Sequence, residues 1–172
     1  MKQYLKSATF FALTIVLIAC GGEKPVDENK AENEAPAKKE SSIEIITEQV
    51  ELNVAAMGES MAEIAFEPAS LTLNEGAEVT LIFKNQSSAA GMLHNFVLVP
   101  MGAGQEIATA GISAGEANNF TPNDDRIIVA TKMTTMGEEV TITFTAPKKG
   151  SYQYICTYPG HFPKMVGRLT VN

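Results

Sequence analysis

From residue 43 onward the sequence predicts an all-β sandwich, and three features predict it. Short runs of β-branched and aromatic residues follow one another at close spacing. Gly, Pro and Asn stand between them where the chain must reverse. Only the stretch 101–125 departs from this rhythm. Many short strands separated by turn signals argue two packed sheets rather than strands alternating with helices.

In order, Ile43, Ile45, Ile46, Val50, Leu52 and Val54 partly alternate with polar residues and predict one long strand or two short ones. Met61–Phe66, Leu71–Leu73 and Glu78–Phe83 follow as strands, with Pro68 and Glu75-Gly76 as turns. Asn95–Val99 is an apolar strand. Between Met101 and Asp125, Gly102, Gly104, Gly111, Gly115 and Pro122 break the pattern. Gln105–Ala110 reads as a short helix there and the rest as loop; an excursion of this length marks a flap or a functional loop. Arg126–Ala130, Glu139–Thr145, Ser151–Ile155 and Gly167–Val171 complete the strands. No internal repeat is present.

The N-terminus has a different character. Lys2 and Lys6 precede the nearly continuous apolar run Ala8–Ala19. A charged start and about a dozen apolar residues read as a secretory signal, too short for a membrane span of ~20 residues. Leu17-Ile18-Ala19-Cys20-Gly21 resembles a bacterial lipobox, which implies cleavage before Cys20 and lipid on its thiol. The rival reading is plain secretion with Cys20 left in the signal. Two or more acyl chains anchor a protein stably where one does not. Residues 20–42 are rich in Gly, Pro, Ser and charge, with Val26 the one large apolar residue, and cannot bury enough surface to order themselves. They read as a disordered, acidic tether reaching ~25 Å. The expected division is signal 1–19, tether 20–42 and folded domain 43–172. The product is then an exported protein, lipid-anchored to a bacterial membrane and facing the periplasm or the cell exterior.

The chemistry lies in Cys156-Thr157-Tyr158-Pro159-Gly160-His161-Phe162-Pro163-Lys164-Met165. Cys156 ends a strand, Pro159-Gly160 turns the chain back, His161 returns to the same place, and Met165 arrives before the last strand. The other of the chain's 2 histidines, His94, lies far upstream in Met92-Leu93-His94-Asn95-Phe96. Two imidazoles and a thiolate in a trigonal plane, with a weak axial thioether, form a blue-copper electron-transfer site. Alone, His94 reads as a core histidine and Cys156 as an inert buried thiol; their joint pattern with His161 and Met165 favours the metal. With Cys20 lipidated, Cys156 is the one thiol left, no internal disulfide can form, and copper ligation explains it. Asn95 and Thr157, each next to a ligand, are the candidates to brace the site. Electron exit is expected through His161, inside an apolar rim of Met92, Leu93, Phe162 and Pro163.

These segments resemble the azurins, with a related likeness to the auracyanins, within the cupredoxin family. Met92-Leu93-His94-Asn95-Phe96-Val97-Leu98 is similar to the azurin His-Asn-aromatic strand. Pro122-Asn123-Asp124-Asp125-Arg126-Ile127-Ile128 with Thr131-Lys132 resembles the end of its flap, and Cys156 to Met165 with Gly167 its ligand loop. The likeness covers about 91–172 strongly and 61–90 more loosely. It implies a Greek-key β-sandwich that carries one copper ion and shuttles single electrons through Cu(I)/Cu(II). The ligands it implies are His94, Cys156 and His161 in the plane and Met165 on the axis. Leu93 stands where azurins have a glycine whose carbonyl makes a second, long axial contact. Azurin's disulfide has no counterpart, and Phe96 stands where an indole is usual; the chain has Trp 0. A c-type cytochrome or another haem or copper protein is the implied partner, and the domain is expected to be monomeric.

Other classes fit less well. Removing residues 1–19 takes Lys2 and Lys6 and no acid, so the formal charge of −7 becomes −9. Such a chain repels phosphate backbones, which excludes nucleic acid as a natural partner. A copper oxidase or nitrite reductase needs further histidines for a second copper, so no substrate-converting site is expected. Catalytic zinc prefers more nitrogen or carboxylate ligands and an open position. An exported copper-binding or delivery protein is the alternative, suggested by Met133-x-x-Met136 and by Met57, Met61, Met92 and Met101. Methionine more often fills cores or lines adaptable surfaces.

Overall fold

The structure is a computed structural model and describes residues 47–172. The signal 1–19, Cys20, the tether and residues 43–46 lie outside the described residues. The order is β1 (Gln49–Met57), β2 (Ala65–Glu67), β3 (Ser70–Leu73), β4 (Glu78–Asn85), β5 (Val97–Pro100), α1 (Gly104–Ala114), a 3-10 turn (Glu116–Asn118), β6 (Val129–Ala130), β7 (Glu139–Thr145), β8 (Gly150–Ile155) and β9 (Val166–Val171). One sheet runs β2-β1-β4-β7 and the other β3-β9-β8-β5-β6. β1 is parallel to β4, and β3 to β9; the other pairs are antiparallel.

The period-two pattern explains the packing. Val79, Leu81 and Phe83 of β4 and Val54 and Ala56 of β1 are buried, while their neighbours alternate outward. β7 turns Val140, Ile142 and Phe144 inward and its threonines outward. From the other sheet come Tyr154, Leu169 and Val171. Phe66, Phe83, Phe96 and Tyr154 meet at the centre, with Phe96 and Tyr154 stacked at 5.0 Å and Phe66 against Tyr154 at 5.1 Å. The Tyr154 hydroxyl donates to the Pro68 carbonyl at 2.6 Å, so its one polar group is satisfied.

β5 is apolar without alternation because both its faces are covered. Leu98 faces the main core, and Val97 and Val99 join Ile155, Ile107 and Ala108 beneath α1. This helix is longer than the predicted Gln105–Ala110. Gly104 and Gly111 weaken its propensity, yet both are close approaches. A Cβ at Gly104 would meet the Gln153 side chain, and one at Gly111 the Phe120 carbonyl. No side chain of its own caps its start at Ala103. With the Gln153 amide oxygen turned to the helix, it accepts from the N–H groups of Gly102, Ala103 and Gly104 at 3.0, 3.3 and 2.8 Å.

Three strand expectations are corrected. Met61–Glu63 is a turn, closed by Glu63 and Ile64 N–H donating to the Ser60 carbonyl, so only Ala65–Glu67 pairs. Asn95 and Phe96 precede β5, which starts at Val97. The strand expected over Arg126–Ala130 shrinks to Val129–Ala130. Arg126 is instead drawn into a surface cluster with Asp124 and Glu106, which ties the flap to α1.

Candidate metal centre

The register puts the ends of β1, β4, β5, β8 and β9 together. Val97 pairs with Ile155 and Ile155 with Val166, so His94, Cys156 and Met165 leave the second sheet at one edge. Ala56 pairs with Asn85 and Lys84 with Glu139, which brings the loops of the first sheet to that edge. Sγ of Cys156 and a ring nitrogen from each of His94 and His161 lie within 4.8 Å of one another. Sγ is 3.9 Å from His94 Nδ1 and 3.3 Å from His161 Nδ1. The His94, Cys156 and His161 residues are 0%, 0% and 1% exposed. Met165 is 0% exposed and packs in the same core as Cys156.

The donor set fits copper. Bonds of the lengths found at zinc, about 2.0–2.1 Å to nitrogen and about 2.3 Å to sulfur, place nitrogen and sulfur roughly 3.7 Å apart around a trigonal ion. The observed separations bracket that value. Two imidazoles, a thiol and a nearby thioether form a soft set that suits copper better than hard cations. Burial lowers His94 to about 4, and His161 adds to the effect; burial also lowers His161 to about 4. Burial pushes the Cys156 thiol up to about 11, against the opposing pull of the Asn95 and Tyr158 backbone N–H groups. Both rings are therefore neutral near pH 7 and ready to bind metal, and a bound cation offsets the cost of a buried thiolate. His94 Nε2 is the one buried side-chain polar atom without a hydrogen-bond partner among the described residues. A ligand histidine usually donates that N–H, so here the backbone must hold the ring.

The backbone does so through specific bonds. His94 and Thr134 exchange N–H···O bonds at 3.2 and 2.8 Å, and Thr134 Oγ1 donates to the His94 carbonyl at 2.9 Å. Asn95 donates from Nδ2 to Thr157 Oγ1 at 2.8 Å and accepts the Thr157 N–H at 2.9 Å. That reciprocal pair fastens the His94 segment to the Cys156 segment. Within the ligand loop, His161 N–H donates to the Tyr158 carbonyl at 3.0 Å and Met165 N–H to the His161 carbonyl at 2.9 Å. Met92, Leu93 and Phe162 are half-buried and Pro163 is exposed.

Three supporting residues escape the sequence reading. Thr134 holds His94 as described. The Tyr158 ring packs on His161 at 4.8 Å and on Phe120 at 5.3 Å. Asn85, 0% exposed, donates to the carbonyls of Met92 at 2.7 Å and Thr134 at 3.0 Å and accepts the Ser87 N–H at 3.0 Å. A signal for Asn85 exists: the inward alternation Val79, Leu81, Phe83 ends on an amide where another hydrophobe would fit.

Comparisons with known proteins point the same way. The family described as copper binding proteins, plastocyanin/azurin family, matches residues 52–172. Auracyanin-A of Chloroflexus aurantiacus is 38% identical over 168 residues, 96% of this chain and 94% of the relative. Azurin iso-2 of Methylomonas sp. strain J is 39% identical over 102 residues, 56% of this chain and 79% of the relative. The solved structure of auracyanin A, a "blue" copper protein of Chloroflexus aurantiacus, superposes with a TM-score of 0.65 at 42% identity, covering 72% of this chain and 99% of that one.

Proposed function

Because the chain belongs to the plastocyanin/azurin family of copper-binding proteins, we propose that His94, Cys156 and His161 hold its copper ion, with Met165 as the axial thioether and the Leu93 carbonyl as a further weak donor. The protein is a blue-copper electron-transfer protein of the cupredoxin family and carries one copper ion. One observation carries the ligand assignment: the chain's only 2 histidines converge with Cys156 in a buried cluster whose ligand atoms lie within 4.8 Å.

Bound copper supplies a one-electron Cu(I)/Cu(II) couple. The residues do the rest. The Asn95 and Tyr158 N–H groups favour the thiolate form of Cys156 and spread its charge. Thr134 and the Asn95–Thr157 pair fix the ligand backbones, so little has to move when the charge at the site changes by one. Electrons leave through His161, where Met92, Leu93, Phe162 and Pro163 form a largely uncharged contact surface suited to brief docking. With both histidines committed to one ion, the chain is a carrier without a substrate-converting site.

Its partners are redox proteins, and we read a c-type cytochrome or another haem or copper protein as the counterpart. The lipobox-like segment supports export and a lipid anchor at Cys20, with 20–42 as the tether of the copper domain. No helix among the described residues is long and apolar enough to cross a membrane. The test is an optical and metal titration of the purified protein. One copper per chain with an intense blue band is expected, and Cys156→Ser should abolish the band. A Cys156→Ser protein that stays blue refutes the assignment.

A further inference from the structure

The buried ligands raise a question of supply. His94 and Cys156 are 0% exposed and His161 is 1% exposed, so an incoming ion must be passed across the surrounding loops. Those loops are rich in thioethers. Met57, Met61, Met92, Met133 and Met136 all lie at this end of the sandwich, and Met101 stands at the other, where its N–H meets the Ser151 carbonyl.

Met61 is the best placed of them. It is 48% exposed, so its side chain is open to an arriving carrier. Its terminal methyl lies 3.4 Å from where a Cβ on Gly160 would stand, so the thioether rests on the ligand loop one residue before His161. Its own turn is anchored. Glu59 accepts the Ser88 N–H at 2.9 and 3.0 Å and the Ser88 hydroxyl at 2.8 Å, and Ser60 donates to Glu63 at 3.1 Å. The Met61 turn thus touches the loop that carries His161 and is tied to the loop that leads to His94.

We propose that Met61 is the outer handhold for copper entry, accepting Cu(I) from a soft-ligand carrier and passing it to the buried ligands. The proposal rests on the copper reading above. A neutral thioether favours Cu(I), whereas Cu(II) is better served by nitrogen and oxygen donors. The transfer moves an ion and no electron. A carrier–copper bond breaks as the Met61 sulfur–copper bond forms; that bond breaks as the buried donors take hold, and the Cys156 thiol proton leaves to water. A rim that served docking alone would need only apolar bulk, which leucine supplies equally.

That contrast sets the experiment. The copper-free protein is mixed without oxygen with the bis(bicinchoninate) complex of Cu(I), and decay of the complex's colour gives the transfer rate. Uptake of aqueous Cu(II) is followed in parallel by the growth of the blue band. Met61→Leu should slow Cu(I) transfer roughly tenfold, the equivalent of about 1.4 kcal/mol. Cu(II) uptake and the final blue spectrum should stay unchanged, and Met101→Leu should match wild type. Equal Cu(I) rates in Met61→Leu and wild type overturn the handhold. So does an equal slowing of both ions, or the same slowing in Met101→Leu. A wild type that takes up neither ion overturns the copper reading itself.

Discussion

Replacing Asn85 with leucine removes one amide and leaves the backbone of β4 free to keep its shape. Three bonds are lost: Nδ2 to the Met92 carbonyl at 2.7 Å, Nδ2 to the Thr134 carbonyl at 3.0 Å, and the Ser87 N–H to Oδ1 at 3.0 Å. The Thr134 carbonyl still receives the His94 N–H. The Met92 carbonyl and the Ser87 N–H are stranded, and each stranded buried group costs about 1–3 kcal/mol. Met92 is half-buried and can recruit solvent, and leucine returns some apolar burial, so the net loss is about 2–3 kcal/mol. Urea unfolding of the copper-free protein measures it as a lower midpoint at unchanged slope. The same change frees the loop that leads to His94, so the copper-loaded variant should show a shifted visible band. A loss below about 1 kcal/mol with an unaltered spectrum would refute the claim that this amide holds the site together.

Three further outcomes are expected. The folded protein keeps His94 and His161 near 4 against an ordinary value of 6.5, so the unfolded chain binds more protons between those values. Stability of the copper-free protein is then full above about pH 6.5 and falls as the pH drops toward 4, each ring removing about 2 kcal/mol by pH 5; a flat urea midpoint from pH 7 to 5 contradicts this. Gln153→Leu strips the start of α1 of its acceptor and should cost about 1–2 kcal/mol, whereas Gln153→Glu keeps an acceptor there and should cost less, both read from urea midpoints. Met92→Glu should slow electron exchange with a redox partner at an unchanged visible spectrum, and undiminished exchange rejects the exit through His161.

How much of this could be read from the residues depends on the distance over which each feature is decided. Strands such as β4 and β7 declare themselves locally, because Val79, Leu81, Phe83 and Val140, Ile142, Phe144 alternate without interruption. The full length of α1 is decided from outside it. Its glycines lower helix propensity, and its cap arrives from Gln153 on a strand far along the chain. The turn at Met61–Glu63 looks apolar enough for a strand, but the Ser60 carbonyl captures two N–H groups that pairing would require. Cys156, His161 and Met165 are legible together because one short loop carries them, and His94 because the chain has 2 histidines in all. Thr134 is not legible as a support, and Asn85 shows only as an amide at the end of an inward hydrophobic alternation, with nothing to name what it holds. Their partners are fixed by the register of separate strands, which no single segment encodes.

A site built this way separates holding the ligands from binding the ion. Asn95 locks onto Thr157 with two bonds, Thr134 grips the His94 backbone with three, and the His161 and Met165 N–H groups close the ligand loop on itself. None of these bonds uses the Cys156 sulfur or a ring nitrogen of His94 or His161. The charge at the centre can therefore change by one without asking any of them to break, and each bond that stays made opposes the rearrangement that would slow an electron. The candidate ligands come from one end of one sheet, but the bonds that secure them also draw on Asn85, the last residue of β4 in the other sheet, and on Thr134, in the connection that runs from β6 of one sheet to β7 of the other. The sandwich is thus part of the chemistry: shifting the register of β4 against β1 by one residue would turn Asn85 outward and take its bonds from the Met92 and Thr134 carbonyls on either side of His94.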